Sequence, residues 1–300
     1  MIKSLVNRLR DSQDRRPSDG TAPPVDPYVL ATGKTAEYRL RLLHDLYKAG
    51  TRRVLAEAGV RAGMRVADVG CGVGMVTEML AGLVGSDGRV VGIDGSAAQI
   101  DEARTRLEWC ASNTTLVVAD ALATGLPAES FDIVYCRFLL MHLPQPERAL
   151  WEMRRLLRPS GVLVCEDGDV TTAGSETHSA LNAFAELFER LGPLRRVDYS
   201  IGRRLFQLVR EAGFLSPEIS FNQPVVARGE NKRLLELSVA EAAPAIIQAG
   251  LLTHRQMELT LAEMRSAGTD STLVALMLRM TQVWARKDGR AATSRNANQV

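Results

Sequence analysis

The sequence has 300 residues, of which 46% are hydrophobic and 24% are charged. This composition is typical of a globular protein with one large α/β domain or two small ones. The formal net charge is only +2, from 37 basic and 35 acidic residues, so the overall charge favours neither a nucleic-acid nor a membrane partner. Four cysteines without a CxxC pair predict reduced, packed thiols in a cytoplasmic protein.

The N-terminal part of the chain divides into two segments. Residues 1–27 are rich in polar residues and contain Gly20 and the pair Pro23-Pro24, which predicts a flexible segment. Residues 28–59 predict a mostly helical segment. Apolar side chains recur there at helical spacing, as Leu40, Leu43, Leu46 and Tyr47.

Residues 60–229 alternate short apolar strands with helices. The predicted strands are 65–69, 89–94, 115–120, 131–136, 161–166 and 217–227, and the predicted helices are 75–83, 97–110, 146–157, 181–191 and 202–212. This alternation predicts a parallel sheet with helices on both faces. Ligands of such sheets bind beyond the carboxyl ends of the strands.

The C-terminal part departs from this alternation. Residues 230–268 are apolar and predict a helical insertion. Residues 269–288 contain an unbroken apolar run that suits a strand or a helix, and we favour the last strand of the sheet. Residues 289–300 predict a flexible tail.

A glycine loop, Asp68-Val69-Gly70-Cys71-Gly72-Val73-Gly74, follows the first strand. Glycines permit a sharp turn and a close approach to a ligand, and the loop opens a helix whose first amides face that ligand. The dinucleotide pattern GxGxxG needs a third glycine at 75 or 77, where the sequence has Met75 and Thr77. The Asp68 carboxylate also suits an ammonium group better than a pyrophosphate. The loop therefore favours an adenosyl amino acid, and a tight turn without a ligand is the alternative.

Acidic residues close the next two predicted strands. A carboxylate at Asp94 can accept hydrogen bonds from both hydroxyls of a ribose, although it could also cap the following helix, a task that Gly95 could share. A carboxylate at Asp120 can accept a hydrogen bond from an adenine amino group, with the backbone of Ala121 beside it. An ordinary loop aspartate is the alternative for Asp120.

The segments VADVGCGVG, VVGIDGS and VVADAL resemble the first three motifs of class I S-adenosylmethionine-dependent methyltransferases. The match continues through FDIVYCRFLLMHLPQPERALWEMRRLLRPSGVLVCED and extends over about residues 28–213. The matched sequence is similar to the group that includes quinone-biosynthesis and small-molecule methyltransferases. The resemblance implies S-adenosylmethionine as cofactor and a Rossmann-like, doubly wound sheet of seven strands, mostly parallel, with an antiparallel last strand. It also implies that residues 28–59 form a helical lid.

The resemblance also assigns the parts of the cofactor to residues of this chain. It implies that Asp68 and the three glycines hold the methionine end, that Asp94 holds the ribose and that Asp120 holds the adenine. In the lid, Arg39 could pair with the methionine carboxylate, or it could be a surface arginine. The candidate cofactor-binding residues are Tyr28, Arg39, Asp68, Gly70, Gly72, Gly74, Asp94, Gly95, Asp120, Ala121 and Arg137.

The resemblance further implies that the segment after the fourth strand, from Arg137 to His142, borders the sulfonium and the acceptor. This segment lacks the Asn/Asp-Pro-Pro-aromatic tetrad of adenine and glutamine methyltransferases, and Cys136 lacks the preceding proline of a pyrimidine C5 nucleophile. His142 is the candidate catalytic base for a hydroxyl acceptor. A structural histidine is the alternative, because a correctly aligned methyl transfer can proceed without a base.

The acidic run Glu166-Asp167-Gly168-Asp169 predicts a loop beside the acceptor or a solvated turn, and we predict no metal site. The favoured function is methyl transfer from S-adenosylmethionine to a small-molecule acceptor by in-line displacement. Oxygen is favoured over nitrogen and carbon as the acceptor atom. Residues 230–268 would roof an apolar acceptor pocket. The alternatives are an NAD(P)-dependent oxidoreductase and a non-catalytic protein that binds S-adenosylmethionine. The sequence leaves a homodimer open.

Overall fold

The computed structural model describes residues 34–110, 112–176 and 178–289. The predicted flexible segment 1–27, the candidate residue Tyr28 and residues 290–300 of the predicted tail lie outside the described residues. No helix within the described ranges is both long enough and apolar enough to cross a membrane.

The α-helices of the described chain begin with a 24-residue helix, α1. In chain order they are α1 (Lys34–Glu57), α2 (Met75–Val84), α3 (Ala97–Arg106), α4 (Pro146–Leu156), α5 (Ser179–Arg195), α6 (Leu205–Glu211), α7 (Leu234–Gln248) and α8 (His254–Thr269). The two helices α7 and α8 lie in the segment predicted as a helical insertion. Helix α7 packs against α5, α8 and α1.

The strands form one large sheet and one small one. They are β1 (Arg65–Val69), β2 (Arg89–Asp94), β3 (Thr114–Val118), β4 (Phe131–Arg137), β5 (Leu157–Asp169), β6 (Glu218–Asn222), β7 (Val225–Val226), β8 (Ala275–Leu276) and β9 (Arg279–Arg286). The large sheet has seven strands in the order β3-β2-β1-β4-β5-β9-β6, and β9 runs antiparallel to both of its neighbours. This confirms the predicted Rossmann-like sheet with an antiparallel last strand.

The acidic run is not a solvated turn. Strand β5 extends to Asp169, so Glu166, Asp167 and Asp169 lie inside the sheet and are at most 1% exposed. The prediction of a turn was wrong because β9 pairs with β5 along its whole acidic end, from Glu166 opposite Gln282 to Asp169 opposite Arg279. Gln282 and Arg279 of the partner strand contact Glu166 and Asp169, and backbone N–H groups of the turn after β4 donate to Asp167, so the burial of all three carboxylates is tolerable.

Two predicted strands are interrupted. The sixth strand ends at Asn222, and residues 225–226 pair instead with residues 275–276 in the small sheet. The last strand is divided in the same way between β8 and β9. Strand β7 precedes α7 in the chain and strand β8 follows α8, so the pairing of the two strands brings the ends of this helical segment together.

Candidate active site

A cavity with a volume of about 160 Å³ lies at the carboxyl ends of β1 and β4. The glycine loop, the end of β4 and helices α2 and α3 contribute Asp68, Gly70, Cys71, Gly72, Val73, Met75, Val76, Gln99, Tyr135 and Arg137 to its wall. The remaining wall, which includes α1, α5 and α7, consists of Arg39, Leu40, Leu43, Phe138, Met141, His142, Val170, Phe184, Phe188, Tyr199, Leu234, Ser238 and Leu278.

The glycine loop turns sharply beneath this cavity. Gly70 and Gly72 have φ angles of 74° and 54°, in the left-handed region that favours glycine. A Cβ atom at Gly70 would lie 2.8 Å from the Leu139 side chain, so this position is closed to larger residues on steric grounds as well. Gly74 precedes α2 but does not line the cavity.

Asp68 presents a buried carboxyl group to the cavity. The residue is 2% exposed, and the Thr77 hydroxyl donates a hydrogen bond of 2.6 Å to its Oδ2. Burial raises the pKa of Asp68 to about 6, against the hydrogen bond from Thr77 and the positive charge of Arg137. A cationic group of a ligand would stabilise the ionised form further.

Asp94 ties the end of β2 to the glycine loop. Its carboxylate accepts hydrogen bonds from the backbone N–H of Gly72, at 2.9 Å, and of Ser96, at 2.8 Å. Burial raises the pKa of Asp94, and these two hydrogen bonds oppose the rise. Asp94 lies behind the loop and outside the wall of the cavity, and Gly95 beside it is exposed.

Asp120 lies two residues beyond the end of β3, where it is exposed. Its carboxylate accepts a 2.8 Å hydrogen bond from the backbone N–H of Leu122, and Ala121 between them is half-buried. Neither residue lines the cavity. The cavity lies at the central strands β1 and β4, and β2 and β3 follow β1 in order toward one edge of the sheet. Asp94 and Asp120, at the ends of β2 and β3, therefore lie at increasing distance from the cavity along this edge.

The cavity brings together Arg39, Asp68, Gly70, Gly72, Arg137 and His142 from the predicted site. Arg39 is 4% exposed, so the alternative of a surface arginine is wrong. Its Nε lies 2.8 Å from Oε2 of Glu241 on α7, and the side chain of Glu241 is also 4% exposed. The charge of Arg39 is therefore balanced within the protein, across the gap between α1 and α7.

Arg137 connects the end of β4 to α1. Its guanidinium donates a hydrogen bond to Thr51 Oγ1 at 3.2 Å and lies 3.3 Å from Nδ1 of His44. Burial and the charge of Arg137 lower the pKa of His44 to about 4. His44 is thus neutral near pH 7, so neither partner on α1 offsets the charge of the Arg137 guanidinium at the wall of the cavity.

His142 ends a short 3₁₀ turn, Leu140–His142, whose start is fixed by Asp167. The Asp167 carboxylate accepts hydrogen bonds from the backbone N–H of Leu140, at 2.9 Å, and of Met141, at 3.3 Å. Burial, together with the charges of Arg39 and Arg195, lowers the pKa of His142 to about 4. The imidazole is therefore neutral at pH 7 and can accept a proton.

Comparison with known proteins agrees with this arrangement. The family model of a methyltransferase domain matches residues 67–165, which run from the buried strand β1 to Cys165 in β5. This chain contains a class I S-adenosylmethionine-dependent methyltransferase domain. The matched part of the domain includes Asp68, the glycine loop and His142, but neither α1 nor the helices after β5.

Relatives of the methyltransferase domain are found among curated proteins and solved structures. A demethylmenaquinone methyltransferase of Staphylococcus aureus (strain MRSA252) is 39% identical over 121 residues, which are 40% of this chain and 50% of that protein. The chain thus spans about half the length of the curated relatives it matches. A structure of a methyltransferase-type protein from Bacillus halodurans C-125 has a TM-score of 0.54 and 18% identity, and covers 80% of this chain and 99% of its own. The YcgJ protein from Bacillus subtilis gives the same four values, so both share the fold.

Sequence reasoning missed the residues that follow the matched part of the methyltransferase domain. Phe184 and Phe188 on α5 line the cavity, as does Tyr199 after that helix. The four-residue spacing of the two phenylalanines on a predicted helix indicated that they share a face, but it did not indicate whether that face meets the core or a cavity.

Proposed function

We propose that this protein transfers a methyl group from S-adenosylmethionine to a small-molecule acceptor by in-line displacement. The observation that carries the proposal is that the glycine loop, Asp68 and an apolar wall containing His142 line the same cavity. A methyl donor and its acceptor must meet in one water-poor space for in-line transfer, and this cavity supplies such a space.

The residues around the glycine loop suit the parts of the cofactor. The carboxylate of Asp68 complements the ammonium group, and the charge of Arg137 complements the carboxylate of the methionine end. Arg137 suits that carboxylate better than Arg39, since Arg39 is already paired with Glu241. The two oxygens of Asp94 each accept one backbone hydrogen bond and retain a lone pair for a ribose hydroxyl. Asp120 and Ala121, further toward the same edge of the sheet, would contact the adenine.

A small-molecule acceptor is supported by the apolar wall and by the relatives, which are named for demethylmenaquinone. We favour transfer to oxygen, with nitrogen and carbon as alternatives. In the favoured reaction the acceptor oxygen forms a bond to the methyl carbon as the carbon–sulfur bond breaks, the electron pair of that bond stays on sulfur, and the hydroxyl proton passes to the neutral imidazole of His142.

Calorimetric titration with S-adenosylhomocysteine and with NADH tests the choice of cofactor. We expect binding of S-adenosylhomocysteine and no binding of NADH. Asp94→Asn should weaken S-adenosylhomocysteine at least about tenfold, because hydrogen bonds to a charged acceptor contribute roughly 1.5–3 kcal/mol. Asp87→Asn, in the exposed turn at the other end of β2, is the matched control and should bind normally. Tight binding of NADH without S-adenosylhomocysteine would refute the proposal.

The role of His142 has its own test in the methylation rate. Loss of a general base typically lowers the rate by about 10²–10⁴-fold. We therefore expect His142→Ala to lose at least about 100-fold in kcat while it retains its affinity for S-adenosylhomocysteine. A rate within about twofold of the wild type would exclude His142 as the base and leave the methyl transfer itself unaffected.

A further inference from the structure

Strand β6 lies at one edge of the large sheet and presents apolar side chains to solvent. Among the described strands it pairs with β9 alone. Four large apolar residues in and beside it are between 44% and 65% exposed, namely Leu215, Ile219, Phe221 and Val225. Natural edge strands are usually protected by a lysine, a proline or a bulge, and β6 contains none of the three. This edge is therefore open to pairing with a further strand.

The exposed apolar positions are symmetric about Ser220. In an antiparallel pair of two β6 strands centred on this residue, Ile219 of each copy lies opposite Phe221 of the other. Pairs of a β-branched and an aromatic side chain stabilise neighbouring strands. Leu215 and Val225 are equally distant from Ser220 along the chain, so the Leu215 end of one copy meets the Val225 end of the other. The strand is thus complementary to a second copy of itself.

Other registers lose this complementarity. A centre at Ile219 places Pro217 opposite Phe221, and a centre at Phe221 places Gln223 opposite Ile219. A shift of the pairing by one residue turns the apolar side chains of the two strands to opposite faces. Pro217 and Pro224, which lack a backbone N–H, flank the strand and confine the pairing to it. A two-fold contact of this kind closes on itself and does not propagate.

The other face of β6, which packs on α1, adds complementary charge. Side chains alternate along a strand, so Glu218, Ser220 and Asn222 share this face. Arg53 of α1 lies over it, and its ion pair with Glu57 is long, at 4.0 Å. The pairing about Ser220 brings Glu218 of the second copy opposite Asn222 and toward Arg53. Nδ2 of Asn222 has no hydrogen-bond partner among the described residues, and a rotated amide can donate to that carboxylate.

We propose that β6 is the interaction surface for a second copy of this chain. The two copies pair antiparallel about Ser220, so that their seven-stranded sheets join edge to edge in a two-fold homodimer. Residues 290–300 are a poor alternative occupant, because their apolar side chains are two alanines before Ser294, Ala297 and Val300. The cavity lies at β1 and β4, away from this edge, so the inference is independent of the proposed function.

Light scattering after size-exclusion chromatography of the full chain tests the oligomeric state. At about 50 μM, above the micromolar dissociation constants of weak interfaces, we expect twice the chain mass of 32.8 kDa. Ile219→Lys should raise the dissociation constant at least about tenfold, because it places an ammonium group against Phe221 of the other copy. Val118→Lys is the matched control, since Val118 is similarly exposed on β3, at the opposite edge of the sheet, and it should dimerise normally.

Oxidative cross-linking tests the register. Ser220→Cys places two thiols on the two-fold axis, where directly opposite Cα atoms lie about 4.5–5.5 Å apart, within the range of a disulfide. Diamide, which takes up the two hydrogen atoms, should convert this variant into a covalent dimer. Asn222→Cys, which would lie opposite Glu218, should cross-link at least about tenfold more slowly. The four native cysteines are buried, so the unmodified protein should stay uncross-linked.

Three results would overturn the inference: a monomeric unmodified protein at about 50 μM, a dimer of Ile219→Lys as tight as that of the unmodified protein, or equal cross-linking of Ser220→Cys and Asn222→Cys. A monomer would leave another segment of this chain or another protein as the occupant of the edge. Ile219→Lys should keep the far-ultraviolet circular dichroism of the unmodified protein, which separates loss of the dimer from loss of the fold.

Discussion

Asp68 is a carboxyl group whose ionisation can be coupled to cofactor binding. It is enclosed by the Thr77 hydroxyl, the Arg137 guanidinium and the carboxylate of Asp94, and burial outweighs the two favourable neighbours to hold its pKa at about 6. If the ammonium group of the cofactor binds here, the pKa of Asp68 must be lower in the complex than in the free protein, because an adjacent positive charge favours the ionised form.

This coupling predicts that affinity for S-adenosylhomocysteine depends on pH. The affinity should be highest well above pH 6, where Asp68 is ionised in the free protein, and should fall as the pH drops through 6, because binding must then release the proton of Asp68. The expected loss between pH 7 and pH 5 is roughly tenfold. Calorimetry in two buffers of different ionisation enthalpy would measure both the affinity and the released proton.

Asp68→Asn is the control for this measurement, since it removes the titrating group and keeps its size. It should bind weakly at every pH and lose most of the pH dependence, even though Asp94 and Asp167 also have raised pKa values. An affinity of the wild-type protein that stays constant from pH 5 to pH 7.5 would contradict the assignment of Asp68 to the ammonium group.

The strands of the sheet were largely predictable from the sequence, but the ends of some of them were not. Apolar runs such as 65–69 and 89–94 coincide with β1 and β2, because central parallel strands are buried on both faces. The acidic end of β5 was predicted to be a turn because the run of apolar residues ends at Cys165. The strand nevertheless continues to Asp169, where it pairs with β9. Whether a polar run is solvated depends on its partner strand, which is distant in sequence.

The helices that enclose the cavity illustrate the same limit. The periodicity of α1 and α7 predicted helices, but it did not predict that Arg39 and Glu241, 202 positions apart, meet between them. Considered alone, each of the two residues would be predicted to be an exposed charge on an amphipathic helix. The burial of both side chains means that the pair is costly to separate, so α1 and α7 are held together above the candidate site.

A polar network joins distant parts of the whole molecule beneath this site. Glu166 in β5 accepts hydrogen bonds of 2.6 Å from the hydroxyl of Tyr135 in β4 and from Nε2 of Gln282 in β9. Oε1 of Gln282 accepts hydrogen bonds from Ser220 in β6, at 3.0 Å, and from Arg53 in α1, at 3.2 Å. Four strands and helix α1 are thus connected through one glutamate and one glutamine, both of which are 0% exposed.

The network predicts opposite outcomes for two exchanges between a carboxylate and an amide. Glu166→Gln should change the free energy of unfolding by less than about 1.5 kcal/mol, because its amide can donate to the Tyr135 oxygen while its carbonyl accepts from Gln282. Gln282→Glu should cost roughly 2–3 kcal/mol at pH 8, because it places a second carboxylate against Glu166 in the core, and the ion pair with Arg53 offsets only part of this cost. Urea denaturation of both variants measures the difference.

The pH dependence of Gln282→Glu separates charge repulsion from a simple loss of packing. Two adjacent buried carboxyl groups raise the pKa of the pair above that of the unfolded chain, so the stability deficit should grow as the pH rises from 5 to 8. The deficit relative to the wild type should therefore be smaller at pH 5, where one proton can be shared, while Glu166→Gln should show no such trend. A deficit that is equal at pH 5 and pH 8 would mean that Glu166 and Gln282 are not in the direct contact that joins β5 to β9.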